Sequence, residues 1–184
     1  MIQFTTVSSK EELEQIHQLN TKYLKTNTPP DEQKQEGFVT WLYPLALLEG
    51  MHTLAPSVIA KDGNRVVGYA LTTPLASRSF HREMDLFLQA MEKVQYRDKP
   101  LLDYSFYGMG QICIDKDYRG QGLFTGLYEK HKELYSSQHD YIITDIATTN
   151  PRSLKAHQKQ GFIPIHKFTD SHGEWVVVIW DWSS

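Results

Sequence analysis

A glycine loop between an apolar strand and a helix is the stretch of this sequence best suited to chemistry. Residues 111–126 read Gln-Ile-Cys-Ile-Asp-Lys-Asp-Tyr-Arg-Gly-Gln-Gly-Leu-Phe-Thr-Gly. Gly120 and Gly122 open a helix whose apolar residues recur every three or four positions. Uncovered backbone N–H groups and the positive end of the helix dipole favour a phosphate or pyrophosphate there. The alternative is that the two glycines only permit a tight turn.

A second segment downstream repeats the strand-to-helix pattern. Residues 141–146 predict a strand, and Asn150 begins a helix that ends at Gly161. Asp145 near the strand end and His157 on the helix could therefore face one cleft. A carboxylate is a poor base near neutral pH unless burial raises its pKa, whereas histidine suits that range without help. The alternative is that Asp145 is a hydrogen-bonded carboxylate and His157 a structural histidine.

The glycine loop resembles the signature of the GNAT superfamily of N-acetyltransferases. That signature, Gln/Arg-x-x-Gly-x-Gly/Ala, lies between a strand and a long helix, and Arg119 and Gly122 match its first two defined positions. Phe124 stands in the last position and departs from it. We expect the departure to be tolerated, because backbone N–H groups hold the pyrophosphate and the Phe124 side chain can turn towards the core.

The second segment resembles the second motif of the same superfamily, an Asn followed by Gly-Phe. Asn150 precedes Gly161 by eleven residues, and Phe162 completes the pair. His157 stands where the family often has a tyrosine, seven residues after Asn150. The clear resemblance covers residues 104–162, about a third of the chain, and two motifs in order are more specific than either alone.

The resemblance implies an enzyme that moves an acetyl group from acetyl-CoA to an amine by direct attack, without a covalent enzyme intermediate. Acetyl-CoA would lie between residues 111–114 and 141–146, with Asp145 as the base and His157 as the acid towards the departing thiolate. The residues implied to contact acetyl-CoA are Ile112, Cys113, Ile114, Arg119, Gly120, Gln121, Gly122, Leu123, Phe124, Thr125, Asn150 and Ser153.

No motif identifies the acceptor. An amine-bearing small molecule, a peptide N-terminus and a protein lysine remain open, and a homodimer is possible. Four further candidates for catalysis, supported by residue type alone, are Tyr104, Tyr107, His131 and His166.

Composition narrows the functional class. A net charge of −3 with eight histidines argues against a general nucleic-acid binder, which usually needs a basic face. Cys113 is the only cysteine, so no internal disulfide or cysteine metal cage can form, and we expect no metal. No signal-like N-terminus is present, and no segment approaches the roughly 20 apolar residues of a membrane span. We therefore expect a cytoplasmic protein that does not bind a membrane.

The elements that must position these residues follow the order β-α-α-β-β-(α)-β-α-β-α-β-β. This order predicts one α/β domain over residues 1–184, with a mixed, mostly antiparallel sheet of about seven strands flanked by helices. A helical stretch from Asp31, carrying Phe38, Trp41 and Leu42, should be divided or kinked at Gly37 and Pro44. The predicted strands are 2–7, 57–60, 65–72, 101–114, 141–146, 162–168 and 174–182, with a bulge or splay at Gly108 and Gly110.

A helical insertion near residues 74–100 has no counterpart in the resembled family, where a short turn usually joins the strands. Its apolar stripe runs from Phe80 to Val94, and Pro100 should stop the helix. The insertion either covers part of the sheet or forms a lid over the acceptor.

Two other functions compete with acetyl transfer. Gly120-x-Gly122 followed by Asp145 imitates a dinucleotide-binding fingerprint, but Thr125 occupies the third glycine position and hairpins replace the further parallel units. A P-loop is weaker still, because no Gly-Lys-Ser/Thr follows the loop. The remaining alternative is a non-catalytic module that binds coenzyme A or acyl-CoA.

Overall fold

The computed structural model describes residues 1–183 and contains one large sheet with helices on both faces. In chain order the strands are β1 (Ile2–Thr6), β2 (Val58–Asp62), β3 (Arg65–Thr73), β4 (Gln95–Tyr96), β5 (Lys99–Pro100), β6 (Phe106–Ile114), β7 (Tyr141–Ala147), β8 (Ile163–Asp170) and β9 (Gly173–Asp181). The helices are α1 (Lys10–Tyr23), α2 (Pro30–Glu36), α3 (Leu45–Leu54), α4 (Arg82–Met91), α5 (Leu123–Tyr135) and α6 (Pro151–Gln160).

The large sheet has seven strands in the order β1-β2-β3-β6-β7-β9-β8. Across residues 1–183 its neighbouring strands are antiparallel except for β6 and β7, which run parallel. A crossover through α5 makes that parallel pair possible, because parallel strands cannot be joined by a tight turn. The predicted α/β class, with a mixed and mostly antiparallel sheet of about seven strands, is confirmed.

Side-chain alternation gives the sheet two apolar faces. One face packs against α1, α3 and α4, and the other packs against α5 and α6. On β7, Ile143 belongs to the first face and Ile142 to the second. Because strand side chains alternate, Asp145 shares the first face with Ile143. His157 on α6 packs against Phe162 and Tyr128 on the second face.

The centre of the sheet opens at the predicted splay. β6 and β7 pair only as far as Gly108 and Ile143, and their later residues diverge. On its other side β6 carries one extra residue relative to β3, at Gly110 and Gln111. A Cβ on Gly110 would lie 2.5 Å from the Oγ1 atom of Thr73, so only glycine permits this close approach.

Two predicted elements differ from the structure. Residues 101–105 are not strand, because Leu101–Asp103 form a 3-10 turn and β6 begins at Phe106. The helix of the insertion ends at Met91, and the chain then turns back through the small β4–β5 hairpin, where the backbone N–H of Leu101 donates to the carbonyl of Val94.

The stretch at residues 37–44 also differs, since it contains no helix. Gly37 ends α2 with a φ of 74°, and α3 begins only after Pro44. The prediction that Gly37 and Pro44 divide the helical stretch is confirmed, but Phe38 and Trp41 lie in an extended loop rather than in a helix. We call residues 37–44 the crossing loop, because they contribute to the cavities on both faces of the sheet.

Candidate active site

The glycine loop borders a cavity of about 500 Å³ between α5, α6 and the C-terminal half of β6. Gly120 and Gly122 have φ values of 75° and 82°, a backbone conformation that L side chains rarely adopt. Apart from the adjacent residues of the chain, no described atom lies within 4 Å of the position of a Cβ on either glycine. The loop therefore combines a conformation that requires glycine with open space above it.

The first turn of α5 carries backbone N–H groups that no side chain caps. Gly122 is the N-cap, and the first helical hydrogen bond runs from the N–H of Gly126 to the carbonyl of Gly122 at 3.0 Å. The N–H groups of Leu123, Phe124 and Thr125 precede that bond, so they have no partner within the helix. Together with the helix dipole they form an anion-binding surface at the cavity wall.

Arg119 and Arg152 line the same cavity, and Glu36 at the end of α2 pairs with both. The Nε atom of Arg119 donates to the carbonyl of Ile114 at 3.0 Å, and its Nη1 atom donates to the Glu36 carboxylate at 3.0 Å. The hydrogen bond from Arg119 lowers the pKa of Glu36, with burial opposing it. A bound phosphate would compete with Glu36 for both guanidinium groups, whereas Lys159 at the cavity has no described ion-pair partner.

The open edge of β6 provides hydrogen-bonding groups at the floor of the cavity. The backbone N–H of Asp115 donates to the carbonyl of Val67 on β3, so alternation points the backbone groups of Ile114 and Ile112 away from β3. β7 has already diverged there, which leaves those groups facing the gap. The Cys113 side chain is buried among core residues, where burial raises its thiol pKa to about 12, and the same alternation directs its backbone groups towards β3, so the predicted role of Cys113 in contacting acetyl-CoA is not supported.

Three other predicted contacts of acetyl-CoA already have partners within the protein, and one of them, Gln121, does not line the first cavity. The Oδ1 atom of Asn150 caps α6 by accepting from the N–H of Ser153 at 3.2 Å, and its Nδ2 atom donates to the carbonyl of Phe38 at 3.2 Å. Phe124 is partly buried with its ring 5.1 Å from that of His157, which agrees with the expectation that it turns towards the core. The Gln121 side chain donates to the carbonyl of Asp117 at 3.0 Å, at the exposed rim of the loop.

A second cavity, of about 550 Å³, lies on the opposite face of the sheet. Its floor is the diverging part of β6 and β7, and its walls come from the crossing loop, the α4 segment and the turn between β8 and β9. A narrow channel of about 70 Å³ is bordered by Ile112 and Asn150, which it shares with the first cavity, and by Gly110 and Asp145, which it shares with the second. The three spaces therefore share lining residues at the splay.

Asp145 lies where this channel meets the second cavity. Its side chain is only partly exposed, and no other described residue donates a hydrogen bond to its carboxylate. Burial raises its pKa to about 6, and the charge of Asp170 acts in the same direction. A carboxylate with that pKa is mostly ionised at neutral pH and can accept a proton, which is the property required of a general base.

His157 borders the channel from the other face, and both of its ring nitrogens have partners. The Nδ1 atom donates to the carbonyl of Ser153 at 2.8 Å, and the Nε2 atom accepts from the hydroxyl of Tyr128 at 2.7 Å. Burial lowers the pKa of His157 to about 4. These contacts favour the structural role, because a neutral histidine with both nitrogens occupied has no proton to offer the channel.

The four weaker candidates lie outside all three spaces. The hydroxyl of Tyr107 donates to Nδ1 of His131 at 2.9 Å, and the Nε2 atom of His131 donates to the carbonyl of Ala70 at 3.1 Å. The hydroxyl of Tyr104 donates to the carbonyl of Tyr96 at 2.9 Å. His166 lies on the edge strand β8.

A buried amide pair that sequence reasoning overlooked holds the crossing loop in place. The Nδ2 atom of Asn20 donates to the carbonyl of Trp41 and to Oε1 of Gln111, both at 2.9 Å, and its Oδ1 atom accepts from the N–H of Tyr43 at 2.7 Å. The hydroxyl of Tyr69 also donates to Oε1 of Gln111, at 2.5 Å. The sequence did contain one signal of this pair, the polar residue Asn20 on the apolar stripe of α1. Because a buried amide needs hydrogen-bond partners, Asn20 indicates a buried polar contact.

Tyr43 is a further residue of the site without a sequence motif. It lines the second cavity, and no described residue accepts a hydrogen bond from its hydroxyl. Burial and the negative charge of Asp145 raise the pKa of Tyr43, so the hydroxyl keeps its proton at neutral pH. A protonated hydroxyl and an ionised carboxylate that line the same cavity offer an acid and a base within it.

The described residues contain no helix long and apolar enough to cross a membrane. They also contain no cluster of three or more His, Cys, Asp or Glu side chains arranged to hold a metal ion.

Comparison with known proteins supports the resemblance. The family model "Acetyltransferase (GNAT) family" matches residues 13–162. No curated protein matches the sequence significantly.

Solved structures share the fold at low sequence identity. An N-acetyltransferase from Staphylococcus aureus Mu50 is 17% identical, with 99% of each chain covered and a TM-score of 0.65. The ribosomal-protein-S18-alanine N-acetyltransferase of Escherichia coli is 10% identical, with 100% of this chain and 96% of that chain covered and a TM-score of 0.64. The Salmonella typhimurium protein yncA, solved with its cofactor acetyl-CoA, is 13% identical, with 98% and 94% covered and a TM-score of 0.62.

Proposed function

The chain belongs to the GNAT family of acetyltransferases, and from that premise we propose that it transfers an acetyl group from acetyl-CoA to an amine by direct attack. The observation that carries the proposal is the small channel at the splay, which shares lining residues with the glycine-loop cavity on one face and with the cavity at Asp145 on the other. A direct transfer needs the donor and the acceptor to meet at one point from separate sites.

The residues of the first cavity fit acetyl-CoA, which supplies an acetyl group activated as a thioester. The N–H groups of Leu123, Phe124 and Thr125 would hold the pyrophosphate, and the open loop leaves room for it. Lys159 would add positive charge, as would Arg119 once a phosphate replaced Glu36. The backbone groups of Ile112 and the N–H of Ile114, whose carbonyl already accepts from Arg119, would bind the amide-bearing arm, with Asn150 and Ser153 at its side.

The proton chemistry belongs to the second cavity. Asp145 would remove a proton from the acceptor ammonium group, because its raised pKa of about 6 brings it closer to that of an amine while leaving it ionised at neutral pH. Tyr43 would keep a proton available at its hydroxyl in the second cavity. His157 would orient Tyr128 and Phe124 rather than act as an acid, because both of its nitrogens are occupied.

One experiment separates this proposal from a non-catalytic coenzyme-binding module. Thermal unfolding is measured with and without saturating acetyl-CoA, and release of the coenzyme A thiol is then followed with a panel of amines. At one hundred times its dissociation constant, acetyl-CoA should stabilise the fold by about 2.7 kcal/mol. Thiol release that depends on an amine supports the transferase, whereas stabilisation without release by any amine supports the binding module.

A further inference from the structure

The walls of the second cavity are more apolar than those of the first cavity. Three different parts of the chain contribute apolar or aromatic side chains, with Trp41 from the crossing loop, Phe87 from α4 and Phe168 from β8. Met84, Leu86 and Ala90 extend the α4 wall. A pocket of this volume with mostly apolar walls binds a small molecule by enclosing its apolar body.

Two ring contacts close the walls where these elements meet. The rings of Phe87 and Phe168 lie 6.5 Å apart in an edge-to-face arrangement and join the α4 segment to the β8–β9 hairpin. The rings of Trp41 and His172 lie 4.5 Å apart and join the crossing loop to the turn of that hairpin. An extended peptide requires a continuous groove with backbone partners. Here ring contacts cross the space between neighbouring elements, which favours a compact acceptor.

Among the charged residues that line the second cavity, Arg82 and Glu83 are exposed and opposite in charge, whereas Asp145 at the floor is partly buried and favours a single ammonium group. Asp145 is there without a hydrogen-bond donor, whereas Oδ1 of Asp170 already accepts from the backbone N–H groups of His172 and Gly173 and from Nε1 of Trp175. Glu83 is half exposed at the rim, 3.3 Å from His81, whose pKa is lowered by burial so that the ring stays neutral. One unpartnered carboxylate under apolar walls matches a monoamine better than a polyamine.

We propose that the acceptor is a small primary amine attached to one apolar, ring-bearing body, as in an arylalkylamine. The amine enters first and meets Asp145, while Phe87 and Phe168 contact the ring and determine specificity. This inference rests on the proposed acetyl transfer and adds the substrate class. It also assigns a role to the α4 segment, which forms one wall of the acceptor site.

The decisive experiment compares acceptors that differ in the group attached to the amine. 2-Phenylethylamine is compared with ethylamine, which lacks the ring, and with spermidine and a peptide bearing a free N-terminal alanine. Because burying a ring of this size contributes to binding, kcat/KM for 2-phenylethylamine should exceed that for ethylamine by about tenfold to a hundredfold. Isothermal titration of 2-phenylethylamine into the protein saturated with coenzyme A should show binding that ethylamine lacks.

Variants of Phe87 and Phe168 test whether these two residues contact the phenyl ring of 2-phenylethylamine. Phe87→Ala and Phe168→Ala should each lower the ratio of kcat/KM for 2-phenylethylamine over ethylamine by about tenfold. Phe80→Ala is the control, because Phe80 lies just before α4, is half exposed and does not line the cavity. This variant should leave the ratio unchanged. Circular dichroism confirms that each variant is folded, and the wild-type ratio tests the proposal if either wall variant does not fold.

The outcomes separate this inference from the proposed function. If spermidine or the peptide is acetylated with a higher kcat/KM than 2-phenylethylamine, acetyl transfer stands and the substrate class is wrong. If no amine is acetylated, the proposed function fails. The titration of 2-phenylethylamine then tests the inferred class of ligand by itself. Absence of 2-phenylethylamine binding to the coenzyme A complex then overturns the substrate class as well.

Discussion

The cavity at the glycine loop and the cavity at Asp145 lie on opposite faces of the sheet and form their surfaces from different groups. The first uses backbone N–H groups of α5, the open edge of β6 and cationic side chains. The second uses aromatic and aliphatic side chains around one unpartnered carboxylate. Backbone groups and charges suit a large polyanionic donor, whereas apolar walls suit a small acceptor, so each face matches one of two reactants.

Asp145 and His157 show the same contrast at the level of single residues. Burial favours the neutral form of both, raising the pKa of Asp145 to about 6 and lowering that of His157 to about 4. Only His157 has its polar atoms satisfied by other residues. A buried titratable group with complete partners stabilises the fold, while one that lacks partners and faces a cavity is available for chemistry.

The largest expected effect is on turnover when the base is removed. Asp145→Asn should lower kcat by about a hundredfold to ten-thousandfold, the usual contribution of a general base. It should also remove the fall in kcat/KM at pH values below about 6 that ionisation of Asp145 predicts. Steady-state rates between pH 5 and pH 9 measure both, and retained activity with the same acidic limb would exclude Asp145 as the base.

Gly122→Val should abolish stabilisation by acetyl-CoA, a loss of about 2.7 kcal/mol at one hundred times the wild-type dissociation constant. Valine is strained at a φ of 82°, and its side chain would point into the space proposed for the pyrophosphate. Gly63→Val is the matched control, because Gly63 also has a positive φ of 58° and open surroundings but lies in the β2–β3 turn. If both variants lose the stabilisation equally, the glycine loop is not the coenzyme site.

The third effect separates function from stability at Asp145. The pKa of Asp145 is raised from 3.8 to about 6 on folding, so its ionised form destabilises the native state above pH 6, and this cost disappears below pH 4. The free energy of unfolding of Asp145→Asn, measured in urea at pH 8, should therefore exceed that of the wild type by about 3 kcal/mol. The difference should vanish as the pH falls through 6 towards 4, and a gap independent of pH would contradict the raised pKa.

The smallest expected effect on turnover is at His157. His157→Gln keeps a hydrogen-bonding side chain and should change kcat by less than tenfold, while destabilising the fold by about 1–3 kcal/mol through imperfect replacement of two buried hydrogen bonds. Thiol-release rates and urea unfolding measure the two quantities. A loss of a hundredfold or more in kcat at unchanged coenzyme affinity would restore His157 as the catalytic acid and remove the contrast with Asp145.

The first cavity could be predicted from the sequence because its determinants are local. Residues 119–125 form one continuous loop and helix start. Gly120 and Gly122 indicate positive φ angles there, because glycine adopts that conformation far more readily than other residues. The sheet class followed in the same way from alternating apolar residues. By contrast, the pattern at Trp41 looked helical, because a loop residue that packs into a core has the same apolar character as a residue on the buried face of a helix.

Only the tertiary structure decided the second cavity and the roles of the titratable residues. Its walls come from segments that meet through nonlocal ring contacts, such as Phe87 with Phe168, and no spacing along the chain encodes such a meeting. Asp145 and His157 are near each other in sequence, yet alternation along β7 and the packing of α6 place them on opposite faces. Whether each has partners depends on Tyr128, the bulge at Gly110 and the diverging strands, because hydrogen bonding and burial are properties of the assembled surroundings rather than of residue type.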